Sequence, residues 1–403
     1  MQSNKKYSVI DASYVTIAKY QKKLGIAANV VKDCLIENDL YDENSSTVMI
    51  SCVHPSQARI IDRLRKKGYR CIIGGGGALS PGAFEHAYCI VLGDCFRFIK
   101  SLKLHGLEKT IQMENNIFDP QNPKKVFIDQ SFPYYLSGKY KNESKEQVFF
   151  LSRGCKGACA FCHTRWSIEY SENPNPANII EKINQCKCKS LMSNDIGSVS
   201  FVDELRIDGT AGSYRMIQLI KMKKIPRVVR IGVEGISERI RKAVSKSLSN
   251  QSLVDNTLTL WERGACVVRW FMICGFPGEN AGDWNELKDC IRALNIFKRK
   301  GVLQISFTAF AAEPSTPMSG MTYAADYYDF FSDFKNWYFE IARNPSIGIM
   351  QPQGPEALKI KTEYQMHPNN MYVQYIDREL CKKIRDKYFK TMDIIATLMP
   401  IKQ

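Results

Sequence analysis

No apolar run in this sequence approaches the ~20 residues that a membrane-spanning helix needs. The opening MQSNKKYSVIDASY has no apolar signal-peptide core. Together these absences predict a soluble, cytoplasmic protein with no membrane partner. No repeat with a period of roughly 20–50 residues is present, which excludes solenoids and propellers. With 44% hydrophobic and 24% charged residues, the chain is neither disordered, collagenous nor a coiled coil. At ~150 residues per domain, 403 residues make two or three domains. Long basic runs are missing too, yet 56 Lys and Arg stand against 41 Asp and Glu, a formal charge of +15. Such a field attracts polyanions, so a nucleic-acid partner is one reading and a merely lysine-rich composition the other. Cysteine, by contrast, is plentiful at 14. Cys52, Cys71, Cys89, Cys266 and Cys274 stand in apolar, strand-like runs, where a buried thiol is expected.

The alternation of short apolar runs with amphipathic segments predicts two α/β parts. TVMISCV (47–53), YRCIIGGGG (69–77) and YCIVLGD (88–94) read as strands, and PSQARIIDRLRKKG (55–68) and CFRFIKSLKLHG (95–106) as helices. This pattern suits a parallel, doubly wound, Rossmann-like sheet over 1–112. A polar, Asn- and Lys-rich segment, 113–147, reads as a linker. From 148 to 322 six strand–helix units follow, with strands at VFFLSRG, CKSLMSND (188–195), SVSFVDELRID (198–208), RVVRIGVEG (227–235), ACVVRWFMICG (265–275) and VLQISFTAF (302–310). That order predicts a partial (β/α)6 barrel with its chemistry at the C-terminal strand ends. The remainder, 323–403, reads as a helical extension: an aromatic-rich helix packed on the barrel and a basic helix near 377–398.

One cysteine cluster is not explained by burial. SRGCKGACAFCHTRW places Cys155, Cys159 and Cys162 as C-x3-C-x2-C on a loop after a strand. Three thiolates so close in sequence can close around a soft metal centre. A zinc site wants a fourth ligand, and His163, adjacent to Cys162, is awkwardly placed to chelate the same ion. Three cysteines on a four-iron cluster would instead leave one iron open to substrate. Cys186 and Cys188 read as a strand edge, and His54, His86 and His105 as surface or helix residues, rather than as ligands.

C-x3-C-x-aromatic-C after the first strand of such a repeat resembles the radical S-adenosylmethionine (SAM) enzymes. RIGVEGISERIRKAVSK (230–246), WFMICGFPGEN (270–280), FTAFAAEPSTP (307–317) and ELRIDGTAG (204–212) resemble that superfamily's fourth, fifth, sixth and third strand segments, in order. The resemblance implies that Cys155, Cys159 and Cys162 bind a 4Fe-4S cluster. It places Phe161 and His163 beside the adenine, Glu234 near the ribose or methionine end, and Gly275, Phe276 and Pro277 at the adenine turn. Ser193 and Asp195, at the second strand end, become candidates for the amino group of SAM, and Arg206 for its carboxylate, with a structural ion pair to Asp203 or Asp208 as the other reading. The implied reaction is reductive cleavage of SAM to a 5′-deoxyadenosyl radical, with electrons from a flavodoxin- or ferredoxin-like donor. Transferase and isomerase outcomes are both compatible. With the net charge, a nucleic-acid base is the expected target; a small metabolite or peptide, or a non-catalytic iron–sulfur protein that binds nucleic acid, is the alternative.

The N-terminal part resembles the cobalamin-binding branch of the same superfamily, through CIIGGGGALSPGAFEHAYCIVLGDCFRFIKSL (71–102). Gly74–Gly77 suit a ligand-approaching loop, but no G-x-G-x-x-G opens a helix, which argues against a dinucleotide. The sequence also lacks Asp-x-His-x-x-Gly, the motif that supplies cobalt's lower ligand in many corrinoid proteins: Asp11 is followed by ASYVT and His54 by PSQA. Cobalamin binding and a retained docking fold both fit.

Overall fold

The computed structural model describes residues 6–10, 25–51, 58–75, 78, 86–122, 126–127, 129, 134–139, 141, 145–207, 210–295, 301–313, 316–341, 349–352, 354–355 and 358. They fall into two compact units, one ending at Val148 and the other starting at Phe149. Asp11, His54, Asp208, Gly76, Gly77 and the basic segment 377–398 lie outside the described residues. No described helix is long and apolar enough to cross a membrane.

In the first unit, β1 (Ser8–Ile10), β2 (Thr47–Ser51), β3 (Arg70–Gly74) and β4 (Cys89–Val91) run parallel, and β5 (Ile117–Phe118) closes the sheet antiparallel to β4. Between and after them stand α1 (Gly25–Glu37), α2 (Ala58–Lys66), α3 (Phe96–His105) and α4 (Leu107–Met113). The β4 run CIV is buried throughout, as expected where strands of a parallel sheet are covered on both faces. Ile60 and Ile61 of α2 pack with Val48, Ile50, Cys71, Ile73 and Ile90. The predicted doubly wound order is corrected among these strands. They lie in chain order, with no reversal and so no crevice of the switch-point kind. Segment 113–147 does more than link. Its polar composition conceals Ile117, Phe118, Val126 and Leu136, all buried.

The second unit follows β6 (Gln147–Phe150) with β7 (Ser152–Arg153), α5 (His163–Ser167), β8 (Ser171–Glu172), α6 (Pro176–Gln185) and β9 (Lys189–Met192). Then come β10 (Thr210–Tyr214), α7 (Met216–Lys221), β11 (Val228–Gly235), α8 (Glu238–Ala243), α9 (Asn250–Glu262), β12 (Val267–Cys274), α10 (Ala281–Leu294), β13 (Val302–Ala309), α11 (Tyr327–Ile341) and β14 (Ile349–Met350). β10–β14 form one all-parallel sheet in chain order, and β6 pairs with β9 separately. The predicted strand at 198–208 is corrected. One 3₁₀ turn, Ile196–Ser198, leads into that segment and a second, Val202–Glu204, lies within it, and the strand starts at Thr210. Val199, Phe201, Val202 and Leu205 are buried, at spacings of two, one and three that do not keep the period of two of a strand.

On the buried side of this sheet, Val229, Ile231, Val268, Trp270, Leu303 and Ile305 pack with Leu253, Leu260, Leu287 and Ile291 of the helices. Tyr327, Phe331, Phe334 and Tyr338, on one stripe of α11, enter the same core. Phe331 and Phe334 meet Phe307 at 5.3 and 5.5 Å between ring centres, and Phe334 meets Trp284 at 5.5 Å. The aromatic run is therefore core packing.

Candidate functional site

The cysteine loop connects β7 to α5 and is tied down by its own backbone. Trp166 Nε1 donates to the Cys159 carbonyl at 2.9 Å, and Arg165 Nη1 to the Cys155 carbonyl at 3.3 Å. Ala160 N donates to the Val244 carbonyl at 3.1 Å, which pins the loop to the end of α8. The Cys155 and Cys159 sulfurs lie 3.3 and 3.8 Å from where a Cβ on Gly157 would stand, so a side chain there would intrude between them. Cys162 is close enough to Cys159 for their charges to interact.

Burial dominates the acidity of these thiols. It pushes Cys155 up to about 12, reinforced by Asp195, and Cys162 up to about 11, reinforced by Glu313. Cys159 is also raised by burial, against the opposing pull of Lys246. Binding a metal therefore means displacing protons from all three sulfurs. Among the described residues, no group of three or more His, Cys, Asp or Glu side chains is already gathered to hold a metal ion. The local donor set is nonetheless sulfur-rich and soft, which suits an iron–sulfur centre.

The turn after β9 meets this loop. Asn194 Oδ1 accepts from Gly154 N at 3.1 Å, and Ser193 Oγ lies 2.5 Å from Ser152 Oγ. Asp195 is 2% exposed. Its Oδ2 accepts from Ser198 Oγ at 2.6 Å, from Lys156 N at 3.4 Å and from Cys155 Sγ at 3.6 Å, and pairs with Arg215 Nη2 at 3.0 Å. Its other oxygen, Oδ1, is buried with no hydrogen-bond partner among the described residues, and so is Arg215 Nε. A buried unsatisfied carboxylate oxygen beside a cysteine loop needs an explanation, and a bound amine or ammonium group would supply the missing donor.

Glu234 and Lys246 come from β11 and the loop after α8. Glu234 Oε1 stands 3.4 Å from Lys246 Nζ, both mostly buried. Val233 is an extra residue between the pairings Gly232↔Phe271 and Glu234↔Met272, so a bulge turns the strand there. Glu234 takes φ +72°, a left-handed conformation that a non-glycine residue adopts at a cost and that clusters at functional sites. A Cβ on Gly232 would sit 2.3 Å from Glu234 Oε1, so glycine is what lets the carboxylate lie back along the strand. Burial opposes the charge on Lys246, but the Cys159 and Glu234 charges outweigh it and push its pKa up to about 12. Arg241, fully buried, donates to the carbonyls of Gly235 at 3.1 Å and Leu248 at 2.7 Å and so braces both segments.

The turn after β12 closes the row of strand ends. Glu279 is buried and accepts from Gly275 N at 3.0 Å, Phe276 N at 3.3 Å and Trp284 Nε1 at 3.0 Å. Burial raises its pKa to about 7, against those donors. Pro277 follows, half-buried. The Phe276 ring touches Phe161 at 5.6 Å and Phe310 at 4.9 Å, which joins this turn to the cysteine loop.

The structure thus brings the three cysteines and Phe161, on the loop after β7, to linked turns with Ser193, Asp195, Glu234, Gly275, Phe276 and Pro277 at the C-terminal ends of β9, β11 and β12. His163 opens α5; its side chain is outside the described set. Arg206 is not brought there. It is exposed and walls a separate cleft with Val202, Asp203, Leu205, Ile207, Met222 and Lys224. Arg215, Lys246, Ser198 and Arg241 are the residues the sequence reading missed. Arg215 directly follows β10, so a correctly placed third strand would have pointed to it.

No protein-family model matches the chain. The uncharacterized protein MJ0966 of Methanocaldococcus jannaschii is 22% identical over 317 residues, 70% of this chain and 68% of that protein. Structures of the cobalamin-dependent S-adenosylmethionine radical enzyme OxsB are similar at TM-scores of 0.40 with aqua-cobalamin and S-adenosylmethionine bound, 0.42 with aqua-cobalamin bound and 0.39 for the apo, SeMet-labelled form. Identities are 13%, 12% and 12%. These alignments cover 99%, 99% and 95% of this chain but only 58%, 58% and 59% of the OxsB chains, so the chain spans less than two thirds of their length.

Proposed function

We propose that the chain is a radical SAM enzyme in which Cys155, Cys159 and Cys162 hold a four-iron cluster. The observation that carries this reading is the buried, partnerless Asp195 Oδ1 beside the cysteine loop, with Arg215 alongside. When bound, such a cluster supplies the electron that splits SAM into methionine and a 5′-deoxyadenosyl radical. Asp195 Oδ1 would accept from the amino group of SAM. Arg215, held by Asp195 and Ser198, offers the fork that suits its carboxylate. Glu234, kept in place by Lys246, is the acceptor for ribose hydroxyls. Phe161 and Phe276 give an apolar wall for the adenine. Arg206 drops out of this assignment.

The formal charge of +15 favours a polyanionic substrate, and a nucleic-acid base modified by transferase or isomerase chemistry is the target we assign. No step is assigned to cobalamin. The C-terminal ends of β2 and β3 run into residues outside the described set.

The test is anaerobic reconstitution with iron and sulfide, followed by dithionite and SAM, with 5′-deoxyadenosine as the readout. Wild-type protein should form it. C159A should bind less iron and form none, and D195N should keep its iron and lose most of the product. Absence of product from wild-type protein with a verified four-iron cluster, with and without added oligonucleotide, would overturn the reading.

A further inference from the structure

β11, β12 and β13 set Arg230, Arg269 and Gln304 side by side in register. Alternate residues of a strand face opposite ways. Val229, Ile231, Val268, Trp270, Leu303 and Ile305 enter the helix-covered core, so the three polar side chains stand on the other face. Arg269 spends two of its donors, Nε at 2.9 Å and Nη2 at 2.5 Å, on the neutral Gln304 Oε1. Arg230 has no hydrogen bond or ion pair among the described residues, and its Nε is buried without a partner. Burial, then the neighbouring Arg269, lower its pKa. A guanidinium nevertheless stays charged in a protein, so this face holds two adjacent positive charges. The only carboxylate in β10–β14 is Glu234, which is paired with Lys246.

Two arginines on one sheet face with no counter-ion among the described residues are costly unless something else supplies the negative charge. Planar, five-donor forks side by side are suited to oxyanions. We propose that Arg230 and Arg269 form a substrate subsite for an oxyanion, a phosphate or a carboxylate, with Gln304 orienting the Arg269 fork. The same sheet carries Glu234 toward the cysteine loop at the far end of β11. A substrate anchored at Arg230 would therefore extend along the strands toward the strand ends. This assignment rests on the enzymatic reading above for the word substrate, but not for the anion site itself.

The experiment follows the melting temperature of the full chain without SAM or reductant, at constant ionic strength, in sodium phosphate, sodium acetate or sodium chloride. Phosphate or acetate should raise the melting temperature of wild-type protein by several degrees over chloride, and the more effective of the two identifies the group bound. R230M should melt higher than wild-type in chloride, because a repulsion is relieved, and should not respond to either oxyanion. R230K should respond weakly. R269M, which frees Gln304 as well, should also lose the response. An R230M protein that responds like wild-type, or a wild-type protein indifferent to both anions, would overturn the proposal. Because no SAM is cleaved in this experiment, the subsite can fail while the radical SAM reading stands, and the reverse.

Discussion

Arg215 Nη2 lies 3.0 Å from Asp195 Oδ2 and ties the turn after β9 to the end of β10. Asp195 is almost fully buried, whereas the Arg215 side chain is 32% exposed. The pair is therefore intermediate between a buried salt bridge and a surface one. Removing one partner of a buried pair leaves an uncompensated charge, worth ~3–5 kcal/mol, and the exposure of Arg215 reduces that to about 1–3 kcal/mol.

R215A should thus destabilise the chain by about 1–3 kcal/mol in urea unfolding, and D195N should recover part of that loss in the double variant. Asn keeps an acceptor for Ser198 and Lys156 N without a charge to neutralise. A double-mutant cycle with a coupling energy near zero would mean that the two side chains are merely neighbours.

Gly232 controls Glu234 through space. Its own backbone φ is not in the left-handed region, so alanine suits the main chain; the conflict is with the Glu234 carboxylate, 2.3 Å from the new Cβ. G232A should push Glu234 away from Lys246 and lower 5′-deoxyadenosine formation as far as E234A does, while unfolding changes by only about 1 kcal/mol. The G232A/E234A double variant should be no worse than E234A. A further loss in the double variant would place the effect of Gly232 elsewhere.

Glu279 gives the fold a pH dependence of known sign. Its pKa in the folded chain is about 7, raised from 4.5 chiefly by burial. The folded state therefore holds a proton that the unfolded state has released between those values, and stability falls as pH rises from 4.5 to 7. The full span corresponds to roughly 3 kcal/mol, at about 1.36 kcal/mol for each tenfold change. E279Q should flatten the stability profile in that window. It should also be less stable at pH 5, because the Gln amide brings two donors to a site where Gly275 N, Phe276 N and Trp284 Nε1 already donate. A wild-type profile that rises between pH 5 and 7 by the same amount in E279Q would refute this.

The elements with a strong period were legible in the sequence. RVVRIGVEG and ACVVRWFMICG became β11 and β12, and the Tyr327–Tyr338 stripe became a core helix. The cysteine spacing and the GVEG and GFPGE turns led to residues that the fold brings together. What failed was local. SVSFVDELRID is as apolar as a strand, but its buried residues, Val199, Phe201, Val202 and Leu205, do not keep a strand's period of two; the third strand starts later, at Thr210, and Arg215 rather than Arg206 stands at its end. Lys246 lay inside a quoted segment, but only the bulge at Val233 and the reversal after α8 turn it toward Glu234. Contacts of that kind depend on tertiary geometry, which no spacing encodes.

The aromatic core offers a stability test that is independent of the cysteine site. Phe334 is buried and touches Trp284, Phe307, Trp337 and Tyr338. Phe339, on the same helix, is 48% exposed. Truncating a buried Phe removes its transfer free energy and leaves a cavity, together ~3–5 kcal/mol, whereas an exposed position shifts stability by about 0.5 kcal/mol or less. F334A should therefore move the urea midpoint sharply downward, and F334L, which fills much of the space, by less than half as much. F339A should leave it nearly unchanged. If F339A were as damaging as F334A, the outward face of α11 would be covered by another part of the molecule or by a partner. If F334A were harmless, α11 would not be part of the folded core. Because the ring of Phe334 is shared between the β13 residue Phe307 and the α10 residue Trp284, its loss should unfold the sheet and its helices together, as one transition rather than two.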